Sequence, residues 1–282
     1  DSDFLSVRAA FPKHYEWEQT HGSVIVGMLR SLAKHKLKAG LKSFRLGMGQ
    51  LVGTLAGKYR DAIQTNEEVT SVLKAGECFV VVTSNDKYVA DELFLAAPAY
   101  AAGKLLGSLN ADLGQALGSI DYAPIAVIGL VYERSVFKKL PQGFGYLIPS
   151  SEETPVLGVL IESQVYEGRA DADKVLIRVM IGGSRYPEYA GKPKDELLPL
   201  ARQEVEKRFD GFMPPAEHFF VSYAKGIPQY ETQYSVLKKR IASGLAAFPH
   251  LHLTANYWNG VSMNDCIHNA KETVERIEID RN

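Results

Sequence analysis

The stretch Ala255-Asn256-Tyr257-Trp258-Asn259-Gly260-Val261-Ser262-Met263-Asn264-Asp265-Cys266-Ile267 decides how the C-terminal part of this chain is read. It follows Leu251-His252-Leu253, a short strand, and precedes Ala270, Val274 and Ile277, which with Ile267 fall on one helical face. A strand therefore delivers the chain to Gly260 and a helix leaves from it. Ser262 and Asp265 stand in the S-x-x-D relation of a capping box, which fixes the start of that helix. The first-turn amides have no partner within the helix and carry about half a positive charge. With no side chain at Gly260, such an end suits an anion or a group that becomes anionic. The same residues also suit a plain capped surface helix.

Upstream, the pattern alternates between strands and helices. Leu237, Ile241, Leu245 and Phe248 share a helical face. A helix from Pro193 to Phe209 has Asp195 and Glu196 in its first turn and buries Leu197, Ala201, Val205 and Phe209 on one side. The apolar run Ala123–Val131 reads as a buried strand with Pro124 near its start. Further strands are expected at 145–148, 156–161, 175–181 and 219–223. A small meander is expected from 68–73, 78–83 and 92–96, a short helix around 104–107, a helix over 50–59, and one or two helices within 11–32. The fold class is α+β, a mixed sheet with helices.

Composition narrows the function classes. With Lys+Arg 32 against Asp+Glu 33, there is no bulk charge for a dedicated nucleic-acid binder. The two cysteines, Cys78 and Cys266, fit no metal or redox spacing, so a reducing compartment is the default. No run approaches the roughly 18 apolar residues of a spanning helix. These features point to a cytoplasmic protein or one peripheral to a membrane. From Gln19 to Tyr59 no acidic residue occurs, while Arg30, Lys34, Lys36, Lys38, Lys42 and Arg45 form a positive belt. Such a belt attracts anionic headgroups by about 1 kcal/mol per basic residue, or is simply a solvated linker.

Side-chain chemistry is sparse. Of seven histidines only His250 and His252 can point the same way along a strand, and two ligands do not make a zinc site, so no metal is assigned. No G-x-S-x-G elbow is present. The run Gly47-Met48-Gly49-Gln50-Leu51-Val52 lacks the third glycine of a GxGxxG dinucleotide fingerprint.

Several motifs in order carry a resemblance. Leu5-Ser6-Val7-Arg8-Ala9-Ala10-Phe11-Pro12 with Glu18, His21 and Ser23 opens the series. It continues through Leu95-Ala96-Ala97-Pro98-Ala99, 122–127, Gly143-Phe144-Gly145-Tyr146-Leu147-Ile148-Pro149, Met180-Ile181-Gly182-Gly183-Ser184-Arg185, Gly226-Ile227-Pro228-Gln229-Tyr230 and 256–269. Together they resemble the protoporphyrinogen oxidases of the flavin amine-oxidase superfamily over essentially the whole chain. The resemblance implies FAD-domain pieces of an amine-oxidase-like flavoprotein plus a mixed-sheet substrate domain. Residues 1–43 would be the end of a helical membrane-binding domain and its return segment, 44–97 and 231–282 parts of the FAD-binding domain, and 98–230 the substrate-binding domain. The βαβ unit that holds FAD in the family would be a missing N-terminal segment, supplied in cis or in trans.

The resemblance also implies roles. Val69 would meet the adenosine part of FAD, and Asn256, Gly260, Val261 and Ser262 the flavin ring, with the Val261 and Ser262 amides at its N1/O2 edge. Charge developing there as hydride leaves a porphyrinogen carbon would be stabilised by a helix end needing no side-chain acid or base, so no catalytic side chain is named. Phe144 would stack on a pyrrole ring, Leu147 and Leu160 would sandwich the macrocycle beside Met180, and the Gly145 carbonyl would accept from a pyrrole N–H. The alternative is that these five are simply strand residues of a core. Ala255 departs from the glycine usual before Asn256. The implied substrates are protoporphyrinogen IX and O2, with a membrane surface and a possible homodimer as partners. Coproporphyrinogen III oxidation and a non-catalytic tetrapyrrole-binding subunit are the alternatives.

Overall fold

A computed structural model describes residues 4–34, 42–139, 143–209 and 214–281. Ten strands occur among them: β1 (Val69–Ala75), β2 (Cys78–Thr83), β3 (Lys87–Ala90), β4 (Leu93–Leu95), β5 (Tyr122–Glu133), β6 (Gly145–Leu147), β7 (Val156–Ile161), β8 (Lys174–Gly182), β9 (Glu217–Pro228) and β10 (Leu251–Leu253). The chain divides into two compact units. The first comprises Asp1–Lys36, Gln64–Tyr122 and Pro228–Asn282, and the second Leu37–Ile63 and Ala123–Ile227.

In the first unit β1, β2 and β3 form an antiparallel meander, and β4 pairs in parallel with β10 in a separate two-stranded sheet. The third strand of the expected meander is thus Lys87–Ala90, not the stretch around 92–96. Lys87 to Ala90 lies two or three residues past a turn and is exposed over Lys87–Val89, as an edge strand can be. Leu93-Phe94-Leu95 is too apolar for that edge and is drawn instead beside Leu251–Leu253, from which a long crossover separates it. The helices Ala99–Leu106, Ala111–Gly118 and Tyr234–Leu245 bury Leu106, Leu113, Leu117 and Ile241 against these sheets. The second of these is capped by Asn110, whose side chain accepts from the Leu113 amide at 2.9 Å. A Cβ on Gly103 would come within 2.7 Å of the Gly114 carbonyl, so glycine here sets how closely the first two helices approach.

The last helix, Met263–Arg281, corrects the expected face. Ile267 and Val274 are exposed while Asn269 and Thr273 are buried. Burial is tolerable there because the Thr273 hydroxyl bonds the Asn269 carbonyl at 2.7 Å, within the helix itself.

The second unit is a five-stranded sheet ordered β6-β7-β8-β5-β9. Its inner face (Ala126, Ile128, Leu130 and Tyr132 of β5, Val175, Ile177, Val179 and Ile181 of β8) is covered by Leu197, Ala201, Val205 and Phe209 of the Lys194–Arg208 helix and the residue after it. The expected helical face, Leu197, Ala201, Val205 and Phe209, is the one that packs on the sheet. The strand period of two then turns Val127, Gly129, Leu160, Arg178 and Met180 to the other face. The helices Pro12–His21 and Val24–Lys34 occupy the stretch where one or two were expected, and Gly49–Lys58 the next.

Candidate functional site

Within the first unit the chain leaves β10 at Leu253 and crosses to Met263 through a loop held by two tyrosines. The Tyr230 hydroxyl donates to the Asn256 carbonyl at 2.7 Å and accepts from the Gly260 amide at 3.2 Å. The Tyr234 hydroxyl donates to the carbonyls of Tyr257 and, at 3.2 Å, Trp258. The two rings meet edge-on with centroids 4.5 Å apart. Burial pushes the Tyr230 hydroxyl up to about 12 and raises that of Tyr234 further, so both stay protonated donors. Lys238 adds a bond of 2.8 Å to the Asn259 side chain.

The expected capping box is formed: the Asp265 amide donates to Ser262 Oγ at 3.1 Å, and the Ser262 amide and hydroxyl both reach Asp265 Oδ2. The Ser262 amide is therefore already engaged. The Cys266 amide bonds the Ser262 carbonyl, while those of Met263 and Asn264 have no acceptor within the helix. Among the described residues the Val261 amide also has none. Gly260 sits at φ +132°, and a Cβ there would meet Asp265 at 2.6 Å. The amides left without an acceptor at this end of the loop are thus those of Val261, Met263 and Asn264, while that of Ser262 is held by the cap. Val69 begins β1, opposite Thr83 and beside a register shift.

The other expected residues lie in the second unit: Gly145, Leu147, Leu160 and Met180 on the outward face of its sheet, and Phe144 immediately before β6. Leu147 is 79% and Phe144 55% exposed, which removes both from the core. Register aligns Gly145, Leu160, Arg178 and Gly129 in one cross-strand row and Leu147, Gly158, Met180 and Val127 in the next. Leu147, Leu160 and Met180 thus share one apolar face. Gly145 is required by its surroundings: at φ +145° a Cβ would lie 2.0 Å from the Val159 carbonyl. The Phe144 carbonyl accepts from the Ile161 amide at 2.8 Å. Between Gly145 and Leu147, Tyr146 turns inward and its hydroxyl meets the buried Glu204 at 3.2 Å, anchoring the strand.

The sequence reading missed Arg178 on that face. Its guanidinium pairs with Glu162, and side chain and partner are 40% and 14% exposed. The signal was available as the one basic residue in Val175–Ile181. His250 and His252 do point the same way, onto Glu92, at 3.1 and 2.8 Å. Of the basic belt, Arg30 bonds His21 at 3.0 Å; Lys36 and Lys38, and the side chain of Lys34, lie outside the described residues.

A family profile described as flavin containing amine oxidoreductase matches residues 1–278, and the chain belongs to that family of FAD-dependent oxidoreductases. The chloroplastic protoporphyrinogen oxidase of Oryza sativa subsp. japonica is 25% identical over 98% of this chain, and the protoporphyrinogen oxidase of Bos taurus 28% over 97%. The chain spans 57% and 61% of the lengths of these two relatives. A solved structure from Exiguobacterium sp. 255-15, described as a protoporphyrinogen oxidase candidate, superposes with a TM-score of 0.78 at 20% identity, covering 99% of this chain and 60% of that one. At that identity the likeness concerns the fold.

Proposed function

We propose that this chain carries the flavin-facing loop and the substrate face of an FAD-dependent oxidase that converts protoporphyrinogen IX to protoporphyrin IX with O2 as acceptor. The observation that supports it best is the sheet face on which Leu147, Leu160 and Met180 stand in register beside an exposed Phe144. An apolar face that exposes Leu147 and leaves Leu160 and Met180 half-buried is costly in water and suits a large flat ligand. When bound, the flavin would supply hydride acceptance and reoxidation by O2. The Val261, Met263 and Asn264 amides would face its pyrimidine edge, donating to charge there from a fixed helix end, and Val69 would lie by the adenosine. Asn256 would act through the loop it closes, and Ser262 through its cap. Residues of the first unit would then hold the cofactor and those of the second the substrate.

Arg178 favours a second reading. A guanidinium beside Leu160 on an apolar face suits a carboxylate, and coproporphyrinogen III bears more propionates than protoporphyrinogen IX. A membrane surface is a further proposed partner. In the Val24–Lys34 helix Ile25, Met28, Leu29 and Leu32 form an exposed i, i+3, i+4, i+7 stripe within the basic belt. No helix among the described residues is long and apolar enough to cross a membrane.

The test is anaerobic mixing of the FAD-loaded protein with protoporphyrinogen, coproporphyrinogen or a simple primary amine. Bleaching of the flavin by a porphyrinogen is expected. Bleaching by the amine alone would overturn the reading.

A further inference from the structure

Four backbone groups of one loop, the carbonyls of Asn256, Tyr257 and Trp258 and the amide of Gly260, are all bonded by just two hydroxyls, those of Tyr230 and Tyr234. We propose that Tyr230 is a positioning residue for the cofactor: its hydroxyl fixes the height at which the Val261, Met263 and Asn264 amides stand. This rests on the reading of that loop as flavin-facing.

The argument is geometric. The loop joins an element fixed in the core, β10, to a helix whose expected apolar face is largely uncovered, so the helix's own packing constrains its first turn weakly. Gly260 has φ +132°, a conformation open to glycine and, through glycine's freedom, also easily lost. Something else must hold it. Tyr230 is 6% exposed and locked edge-on against Tyr234. Its hydroxyl uses its one proton on Asn256 and one lone pair on Gly260, and so ties these two points of the loop to each other. Tyr234 bonds the two carbonyls between. The tyrosines precede and begin the Tyr234–Leu245 helix, which is buried at Ile241 and Gly244, so the staple is anchored in the core rather than in the loop. Electrostatic stabilisation depends on donors held in place before charge appears. A loop that had to reorganise would lose part of that effect.

The variant is Tyr230→Phe, which keeps the buried ring. In the 282-residue chain, amide exchange of the peptide 256–262 should quicken about tenfold or more while exchange in β5 and β8 stays as in the wild type. In the holoenzyme, affinity should fall about tenfold for FAD and about a hundredfold for the reduced flavin, so that the two-electron midpoint drops by about 30 mV, the equivalent of the tenfold difference between them. Unchanged exchange overturns the inference. Faster exchange with wild-type FAD affinity and midpoint also overturns it, since the staple would then serve the fold alone. If Tyr230→Phe fails to fold, Tyr234→Phe is read on the same peptide with the same expected outcomes. The underlying reading is judged separately in the wild-type holoenzyme: if bound FAD gives no exchange protection to 256–262, the loop does not face the flavin and the inference falls with that reading.

Discussion

A side chain on Gly260 would collide with Asp265: an added Cβ lies 2.6 Å from both Cβ and Cγ of that residue. Gly260 and the capping acid are therefore a matched pair, and the space at Gly260 is limited from inside the protein before any cofactor is considered. Gly260→Val accordingly disturbs the start of the last helix itself, as well as whatever approaches it.

The first expectation is an energetic coupling between the two. Gly260→Ala should destabilise by about 1–3 kcal/mol through its left-handed backbone, with the collision added. Asp265→Ala should cost about 1 kcal/mol for the lost cap. Because removing the carboxylate relieves the contacts with Cγ and Oδ2, while the one with Cβ stays, the double variant should be more stable than the sum predicts, by about 0.5 kcal/mol. Urea unfolding followed by tryptophan fluorescence, to which Trp258 in the loop itself contributes, measures it; strict additivity would show that the two do not meet.

A second expectation concerns cofactor affinity. These 282 residues contain no GxGxxG turn to receive a pyrophosphate, and the loop around Gly260 offers only a few unengaged backbone amides. The chain by itself should bind FAD weakly and lose it on gel filtration. A flavin spectrum retained through the column would mean that these residues suffice.

Much of this was legible in advance, and the reasons are local. The Lys194–Arg208 helix and β8 announce themselves because one side of each is apolar at a single clear period, and both bury the residues that period selects. The last helix does not follow that logic. Ile267 and Val274 form an apolar stripe, yet the structure buries Asn269 and Thr273 between them. Pattern shows which face is apolar, not which face has a partner. The capping box was readable because it depends on residues three apart, whereas Phe144 was singled out by the family resemblance and not by any local pattern. Tyr230 was not readable, since the Asn256 and Gly260 groups it bonds lie 26 and 30 positions away. Helix Ala111–Gly118 was missed because Gly114 and Gly118 dilute its propensity, although Asn110 and the Leu113, Ala116, Leu117 spacing mark it.

A third expectation is a pH dependence centred on Glu92. Burial alone would raise its carboxyl, but hydrogen bonds to His252 and His250 and their charge outweigh it and hold the group below the ordinary 4.5. With the folded value below the unfolded one, Glu92 contributes stability above about 4.5 that is lost as pH falls through the folded value. Glu92→Gln should lower the melting temperature at neutral pH and flatten its fall between about pH 5 and 3. Parallel wild-type and variant curves over that range would remove Glu92 from the acid response.

The last expectation joins the sheet face to the substrate. Phe to Ala costs about 3–5 kcal/mol at a buried position, but Phe144 is 55% exposed, so its truncation should change the melting temperature little. If the ring stacks on a pyrrole, the loss appears instead in kcat/KM, by about tenfold, since an aromatic pair contributes about 0.5–1.5 kcal/mol beyond the area it buries. The face beside it is apolar at Leu147, Leu160 and Met180 and charged only at Arg178 in those two rows. An apolar clamp favours vinyl groups over propionates, because a buried carboxylate without a partner is costly, and one arginine already paired to Glu162 can meet few of them. Porphyrin fluorescence from protoporphyrinogen should therefore rise faster than from coproporphyrinogen with the FAD-loaded protein, and Phe144→Ala should slow both. Arg178→Leu separates the two readings: it should leave protoporphyrinogen turnover within about threefold and depress coproporphyrinogen turnover further, as loss of a charge-assisted bond worth about 1.5–3 kcal/mol requires. Faster wild-type turnover of coproporphyrinogen, abolished in Arg178→Leu, would transfer the assignment to that substrate. A Phe144→Ala protein that unfolds would return the ring to a structural role.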